Sequence, residues 1–188
     1  MKVTGLAHFA LEVSDLERSV KFYIDAFRTR ELKRLGFSEE DIKKGRTRHV
    51  NIEIGNAVVT LFESRERHKL EPRGFLLDNP RDWSPYRHFA FTVPAEEFDQ
   101  WVTHLREVAP RYGQTVFGPK AHGGGSRGLS IYFDDPDGYH LELNAHYPTQ
   151  ETFQWAHGQY GRIYGVGGAE GWNYSWDEDE VEKHYEKV

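Results

Sequence analysis

An internal repeat divides the sequence into two similar halves. His8-Phe9-Ala10 recurs as His88-Phe89-Ala90, 80 positions later, and a valine follows three residues after each copy. Around both copies, apolar side chains alternate with polar ones, which is the pattern of a β-strand that buries one face. The histidine falls on the polar face each time. The repeat therefore predicts two related modules, each with a histidine on its first strand.

The elements predicted in each half follow one order: strand, helix, strand, strand, strand. In the first half, the strand Leu6–Val13 precedes a helix that Ser14 or Asp15 caps and that runs to about Phe27. A charged loop is expected over Gly36–Gly45. The remaining strands of this half are predicted at Arg30–Leu35, Thr47–Ile54 and Ala57–Glu63, the last two joined as a hairpin.

The second half begins after a polar connector, Ser64–Pro85. The strand Arg87–Val93 is followed by a helix that opens at Pro94, with apolar residues recurring every three or four positions. A short strand is expected at Gln114–Phe117 before the chain reaches its last two strands.

A β-hairpin ends the second half. Its turn is Asp135-Pro136-Asp137-Gly138, in which proline and glycine occupy the positions that a type I turn favours. The flanking runs, Leu129–Asp134 and Tyr139–Ala145, alternate between apolar and polar residues. The polar face carries Ser130, Tyr132, His140, Glu142 and Asn144. Such a face is either solvated surface or the lining of a site, and the two upstream histidines favour a site.

The two small sheets, each covered by one helix, are expected to pair around a concave surface. The predicted lining is His8, His88, Tyr132, His140 and Glu142. Two histidines and one carboxylate form the facial triad that holds a divalent metal and leaves positions open for substrate and oxygen. We therefore predict His8, His88 and Glu142 as metal ligands. For each histidine by itself, the alternative is a hydrogen-bonded interior or rim residue.

The composition excludes several other classes of protein. The chain has no cysteine, so any metal must be held by histidine and carboxylate. That donor set suits iron(II), manganese, nickel, or zinc with a further ligand or water. A net charge of −6 without a basic stripe argues against a nucleic acid or an anionic membrane as partner. Short apolar runs and an N-terminus without a signal-peptide pattern favour a soluble cytoplasmic protein.

These features resemble a known superfamily. Histidines on the first strands of two βαβββ modules, closed by the sequence IYFxDPDGxxxE at Ile131–Glu142, are similar to the vicinal-oxygen-chelate proteins. That superfamily includes extradiol catechol dioxygenases, glyoxalase I and fosfomycin-resistance transferases. The resemblance covers about residues 3–146 and implies an α+β fold with His8, His88 and Glu142 as ligands. Glyoxalases add a fourth ligand at the position aligned with Thr60, so a three-ligand site is favoured here.

Spacing before the hairpin favours type I extradiol dioxygenases among these relatives. Tyr132 lies ten residues before Glu142, as in those enzymes, and His122-Gly123 lies ten residues before Tyr132, one more than usual. The resemblance implies a non-haem iron(II) dioxygenase that cleaves a catechol or similar aromatic substrate with O2, in aromatic catabolism. His122 would transfer a proton and Tyr132 would hydrogen-bond the substrate. The alternatives are a loop histidine without a role and a structural hydroxyl.

Two other activities fit parts of the pattern. One is a metal-dependent transferase or lyase using Mn(II), Ni(II) or Zn(II), such as a fosfomycin-resistance or glyoxalase-like enzyme. Those transferases carry lysine at the position of His122 and an arginine downstream, which this chain does not match. The other is a ligand-sequestering protein like the bleomycin-resistance members, which generally lack metal residues. Extradiol enzymes also carry a histidine on the fourth strand that is missing here, although His68 in the connector is close enough to replace it.

The predicted layout is one domain followed by an extension. Residues 1–146 form the domain, with module 1 at 3–63, the connector at 64–85 and module 2 at 86–146. Residues 147–188 are rich in aromatic side chains and form either a lid over the metal pocket or an arm that packs elsewhere. By analogy with the superfamily, a homodimer is expected.

Overall fold

The computed structural model describes residues 6–64, 88–122, 128–146 and 163–164. The predictions for the connector, for His68 and for the C-terminal extension lie outside these ranges, apart from one short strand. The first half contains β1 (His8–Val13), α1 (Leu16–Phe27), β2 (Glu31–Leu35), α2 (Glu39–Lys43), β3 (His49–Ile54) and β4 (Ala57–Glu63). The second half contains β5 (Phe89–Thr92), α3 (Phe98–Val108), β6 (Val116–His122), β7 (Gly128–Asp134) and β8 (His140–His146), and β9 (Ile163–Tyr164) follows.

The strands form two mixed sheets with the same internal order. The first sheet is ordered β1-β4-β3-β2 and the second β5-β8-β7-β6-β9. In each, the first strand of the module runs parallel to the last, while the two central hairpin strands are antiparallel. The predicted α+β fold of two βαβββ modules is therefore confirmed.

The helix α1 forms where the sequence places it, and its cap is Asp15. The Asp15 carboxylate accepts a hydrogen bond from the backbone N–H of Arg18, which satisfies one of the open donors of the first turn. The helix ends at Arg28, whose φ of 48° is left-handed. Both ends agree with the predicted helix from Ser14 or Asp15 to about Phe27.

Two local predictions differ from the structure. The expected loop at Gly36–Gly45 contains the one-turn helix α2, because Ser38 caps it by accepting from the backbone N–H of Asp41 and three acidic residues fill its first turn. The strand expected to end at Phe117 continues to His122. A register shift between Phe117 and Lys120 accommodates Gly118-Pro119, so the proline interrupts the β6–β7 pairing without ending the strand.

The helix α1 packs against both sheets. It contacts β3 and β4 of its own module. Its Phe27 ring also meets Phe91 of β5 at 4.8 Å and Phe133 of β7 at 5.9 Å between ring centroids. Buried residues from both modules therefore form a single hydrophobic core. Since side chains alternate along a strand, the polar faces of the two sheets are turned away from this core.

Hydrogen bonds from α1 hold the turn of the last hairpin. The Asp137 carboxylate accepts from the backbone N–H of Ser14 at 2.9 Å and from Ser19 Oγ at 2.8 Å. The hydroxyl of Tyr23 donates to Asp135 Oδ2 at 3.0 Å. Burial raises the pKa of Asp135 to about 7, and burial next to that carboxylate raises the pKa of Tyr23 well above its ordinary value. These contacts fix the second module against the first.

Among the described residues, no helix is both long enough and apolar enough to cross a lipid bilayer.

Candidate metal site

The second sheet brings one histidine and one carboxylate into direct contact. His88 immediately precedes β5, and Glu142 lies on the adjacent parallel strand β8. The Nε2 atom of His88 is 2.8 Å from Oε2 of Glu142. Only 23% of the His88 side chain and 8% of the Glu142 side chain are exposed. Two of the three predicted metal ligands are therefore neighbours on one half-buried face.

The other carboxylate oxygen of Glu142 is held by neighbouring polar side chains. Ser130 Oγ donates to Glu142 Oε1 at 2.5 Å, and Asn144 Nδ2 donates to Ser130 Oγ at 2.8 Å. Both residues were placed on the polar face of the hairpin from the sequence, but neither was assigned a role. The alternation of the strand was the available signal, because Ser130 and Asn144 share their face with Tyr132 and Glu142.

Tyr132 lies beside both members of the pair. It is directly opposite Glu142 in the β7–β8 ladder, and its ring meets the His88 imidazole edge-on with the centroids 6.1 Å apart. The residue is 8% exposed. Its place next to His88 and Glu142 is the one that a substrate-binding hydroxyl would need, and its catalytic role stays a prediction.

A second histidine–carboxylate pair lies on the same face. His140 is paired with Asp134 across the ladder, and its Nδ1 atom is 2.6 Å from Asp134 Oδ1. The sequence placed His140 on this face but did not identify Asp134 as its partner.

His8 lies on the other sheet. It begins β1, where its side chain is exposed. Among the residues that the structure describes, no three histidine, aspartate or glutamate side chains come close enough to hold a metal ion. Of the five predicted lining residues, the second sheet carries four, and His8 does not join them within one chain.

The packing of α1 accounts for this separation. Besides the predicted apolar stripe, α1 buries a second stripe at Ser19, Phe22 and Ala26, spaced three and four residues apart. Phe22 meets Tyr112 at 5.3 Å and Phe133 at 6.3 Å between ring centroids, so this stripe faces the second module. A helix that is buried on two sides lies between the sheets, and the polar faces of the two sheets are then turned away from the helix and from each other. The sequence feature that could have predicted this packing is the second stripe of α1, which comprises Ser19, Phe22 and Ala26.

The register of the two sheets defines which positions correspond. Thr60 pairs with Ala10 on β1, as Glu142 pairs with Ala90 on β5. The structure therefore places Thr60 at the position in the first module that Glu142 occupies in the second. A threonine there leaves His8 as the only predicted ligand on its sheet.

The proposed proton-transfer residue His122 ends β6, where its backbone pairs with Gly128. Its side chain lies outside the part of the chain that the structure describes, as do Gly123 and His68. Their roles stay predictions.

A repeated βαβββ unit with a histidine–carboxylate pair on the open face of one sheet defines a protein of the vicinal-oxygen-chelate class. The model of the Glyoxalase/Bleomycin resistance protein/Dioxygenase superfamily matches residues 5–143. The chain belongs to this superfamily, and the predicted membership is confirmed.

Three relatives within the superfamily are named for thiol transfer or for fosfomycin resistance. The chain is 29% identical over 146 residues to a glutathione transferase, FosA, of Serratia marcescens, covering 74% of this chain and 79% of the relative. It is 28% identical over 148 residues to a metallothiol transferase, FosB, of Staphylococcus epidermidis, covering 77% and 83%. The fosfomycin resistance protein FosX of Listeria monocytogenes, solved as a mutant with Mn(II) and 1S,2S-dihydroxypropylphosphonic acid, is 25% identical with a TM-score of 0.55, covering 80% of this chain and 96% of that one.

These relatives overturn the expected activity. They are thiol transferases and a fosfomycin-resistance protein, so the prediction of an extradiol dioxygenase, an oxidoreductase of aromatic catabolism acting on an aromatic substrate with O2, is wrong. The spacing misled because Tyr132 and Glu142 face each other across the short hairpin that joins β7 to β8. Any member of the superfamily with this hairpin has the same spacing, whatever reaction it catalyses. The transferase alternative agrees with the relatives.

Proposed function

We propose that this protein is a metal-dependent enzyme that opens the epoxide ring of a small phosphonate by adding a thiol or water. The observation that carries the proposal is the contact between His88 and Glu142, because it provides adjacent nitrogen and carboxylate donors on a half-buried face. The relatives supply the reaction class, since they are named as thiol transferases and fosfomycin-resistance proteins.

Manganese(II) is the metal we propose, in place of iron(II). Imidazole and carboxylate donors suit both metals, so the donor set alone does not choose between them. The choice rests on the solved FosX relative, which contains Mn(II). The residues that would hold the metal are His88, Glu142 and His8, the ligands predicted from the sequence.

We propose that His8 reaches the metal from a second copy of the chain. In one copy His8 is exposed on the polar face of the first sheet, and the largely buried His88–Glu142 pair lies on the polar face of the second. In a two-fold symmetric homodimer, the first sheet of each copy can cover the second sheet of the other. Each dimer then has two equivalent sites, and each site takes His8 from one chain and the other two ligands from its partner.

A bound divalent metal would polarise an oxygen of the substrate as a Lewis acid. The protein supplies the remaining groups. The Tyr132 hydroxyl donates a hydrogen bond to a substrate oxygen, and the buried face around it excludes water. The thiolate sulfur or water oxygen forms a bond to an epoxide carbon, the carbon–oxygen bond breaks, and the released oxygen takes a proton. His122 is the residue predicted to transfer that proton.

The chain departs from the fosfomycin transferases at two positions that bear on a phosphonate substrate. Fosfomycin transferases resemble each other in a lysine at the position of His122 and in an arginine after the ligand glutamate. Here Leu143–Thr149 contains no arginine. Without a cation at these two positions, the enzyme is expected to turn over fosfomycin more slowly than a relative that carries both.

The test is an assay of the full-length protein after removal of metal and reloading with Mn(II) or Fe(II). Fosfomycin and a neutral epoxide are each supplied with glutathione, cysteine or no thiol, and products are followed by phosphorus and carbon NMR. We expect Mn(II)-dependent ring opening that Glu142→Gln abolishes, and no oxygen uptake with catechols. Binding of Mn(II) without turnover of any epoxide by thiol or water would reject the proposed function.

A further inference from the structure

The hydrogen bonds around Glu142 form a relay with a fixed direction. The amide nitrogen of Asn144 donates to Ser130 Oγ, and Ser130 Oγ donates to Glu142 Oε1. An amide N–H only donates and a carboxylate only accepts, so the serine proton points at Glu142. The relay occupies Oε1, while Oε2 is the oxygen that faces His88.

The relay is confined by the packing of the hairpin. Ser130 is fully buried, and Glu142 is 6% exposed. A Cβ atom at Gly128 would lie 2.4 Å from the backbone oxygen of Ala145 and 3.2 Å from Asn144 Nδ2. Any side chain at Gly128 would therefore displace β8 or the amide, so the glycine preserves the space in which Asn144 reaches Ser130.

The first module shows that the fold does not need this relay. By register, its residues His49, Thr60 and Phe62 correspond to Ser130, Glu142 and Asn144. In place of the relay, the rings of His49 and Phe62 stack with their centroids 4.6 Å apart. The same pair of hairpin strands thus forms with a ring stack in one module and a polar relay in the other. The module with the relay has a glutamate where the other has Thr60.

We propose that Ser130 and Asn144 are positioning residues for the metal ligand Glu142. By holding Oε1, they fix the rotation of the carboxylate and present Oε2 to a divalent ion. Partners of this kind orient metal ligands, and their loss costs on the order of 10- to 100-fold in metal affinity. The inference rests on the proposed function, because it takes Glu142 as a ligand.

The test measures Mn(II) affinity of the full-length protein by electron paramagnetic resonance of free Mn(II). Ser130→Ala and Asn144→Asp each break the relay, the first by removing the hydroxyl and the second by replacing the amide donor with an acceptor. We expect both to weaken Mn(II) binding on the order of 10- to 100-fold. Ser130→Thr, which keeps the hydroxyl, should retain most of the Mn(II) affinity that Ser130→Ala loses. Thr103→Ala is the matched control, because it removes a hydroxyl bonded to Asp99 O on the exposed face of α3.

The outcomes separate the two proposals. If the unaltered protein binds Mn(II) and Ser130→Ala binds it equally well while remaining folded by circular dichroism, the relay has no positioning role. If Ser130→Ala unfolds, Asn144→Asp and Ser130→Thr decide the question by the same measurement. If the unaltered protein binds no Mn(II) or other divalent ion, the proposed function fails first.

Discussion

The proposed sharing of one site between two copies of the chain predicts that two inactive variants restore each other. His8→Ala removes the ligand on the first sheet, and His88→Ala removes a ligand on the second. In a homodimer of either variant, both sites lack a ligand. A mixed dimer contains one site with two missing histidines and one site with none, because the intact His8 and the intact His88 come from different chains.

The size of the recovery follows from the symmetry. Random pairing of equal amounts makes about half of the dimers mixed, and each mixed dimer has one intact site of two, so activity returns to about one quarter of the unaltered level. Each variant alone should lose the transition-state stabilisation that a correctly held Lewis acid supplies, which is several kcal/mol. That loss lowers the rate on the order of 10³-fold. The recovered signal is therefore far above the background of either parent.

The assay is Mn(II)-dependent epoxide opening by co-expressed variants with different affinity tags, purified through both tags in succession. Doubly tagged dimers should have about half the specific activity of the unaltered protein, since one of their two sites is intact. The matched control combines His88→Ala with Glu142→Gln, which damage the same sheet and cannot restore each other. Recovery in the control, or none in the test pair, would refute the shared site. An unaffected His8→Ala homodimer would remove His8 from the site altogether.

Three further predictions concern stability. Because burial raises the pKa of Asp135 to about 7 while an unfolded aspartate titrates near 4, the native state keeps a proton that the unfolded chain has lost. The free energy of unfolding should thus fall by a few kcal/mol as the pH rises from about 4 to about 7, and urea titrations of Asp135→Asn should lack that part of the slope. Phe22→Ala should lower the free energy of unfolding by about 3–5 kcal/mol, because the fully buried ring fills the seam between modules. Asp137→Ala should cost about 2–4 kcal/mol in the same titration, since Ser14 and Ser19 lose their acceptor. The packing described would be contradicted if the free energy of unfolding of Asp135→Asn depended on pH as strongly as that of the unaltered protein. It would also be contradicted if Phe22→Ala or Asp137→Ala lowered that free energy by less than about 1 kcal/mol.

Much of the fold was readable from the sequence because the repeat and the strand alternation are local signals. The strand at His8, the helix to Phe27 and the last hairpin follow from alternation, capping and turn residues within a few positions of each other. The continuation of β6 past Pro119 was not readable, because the pairing that allows it comes from β7. Pairing with β7 therefore continues the strand past a proline that, judged from the local sequence alone, would end it.

The site was only partly predictable, for a different physical reason. Alternation assigns each residue to a face, so it grouped Tyr132, Glu142 and the first-strand histidines correctly as polar-face residues. It does not say how two faces are oriented in space. That orientation depends on the second apolar stripe of α1, including Phe22, which joins the modules through the helices instead of through their open faces.

The same orientation leads to a prediction about metal stoichiometry, which rests on the proposed shared site. Each module has a histidine at the start of its first strand, whereas the position that Glu142 occupies in the second module is Thr60 in the first. Among the proposed ligands, a symmetric pairing of first sheet with second sheet would make two complete sets from two copies. Pairing of like sheets would instead bring together either His8 of both copies or His88 and Glu142 of both copies. The stoichiometry distinguishes these arrangements. One Mn(II) per chain, measured by elemental analysis after reloading, agrees with first-to-second pairing, and one metal per dimer would indicate that the two second sheets meet instead.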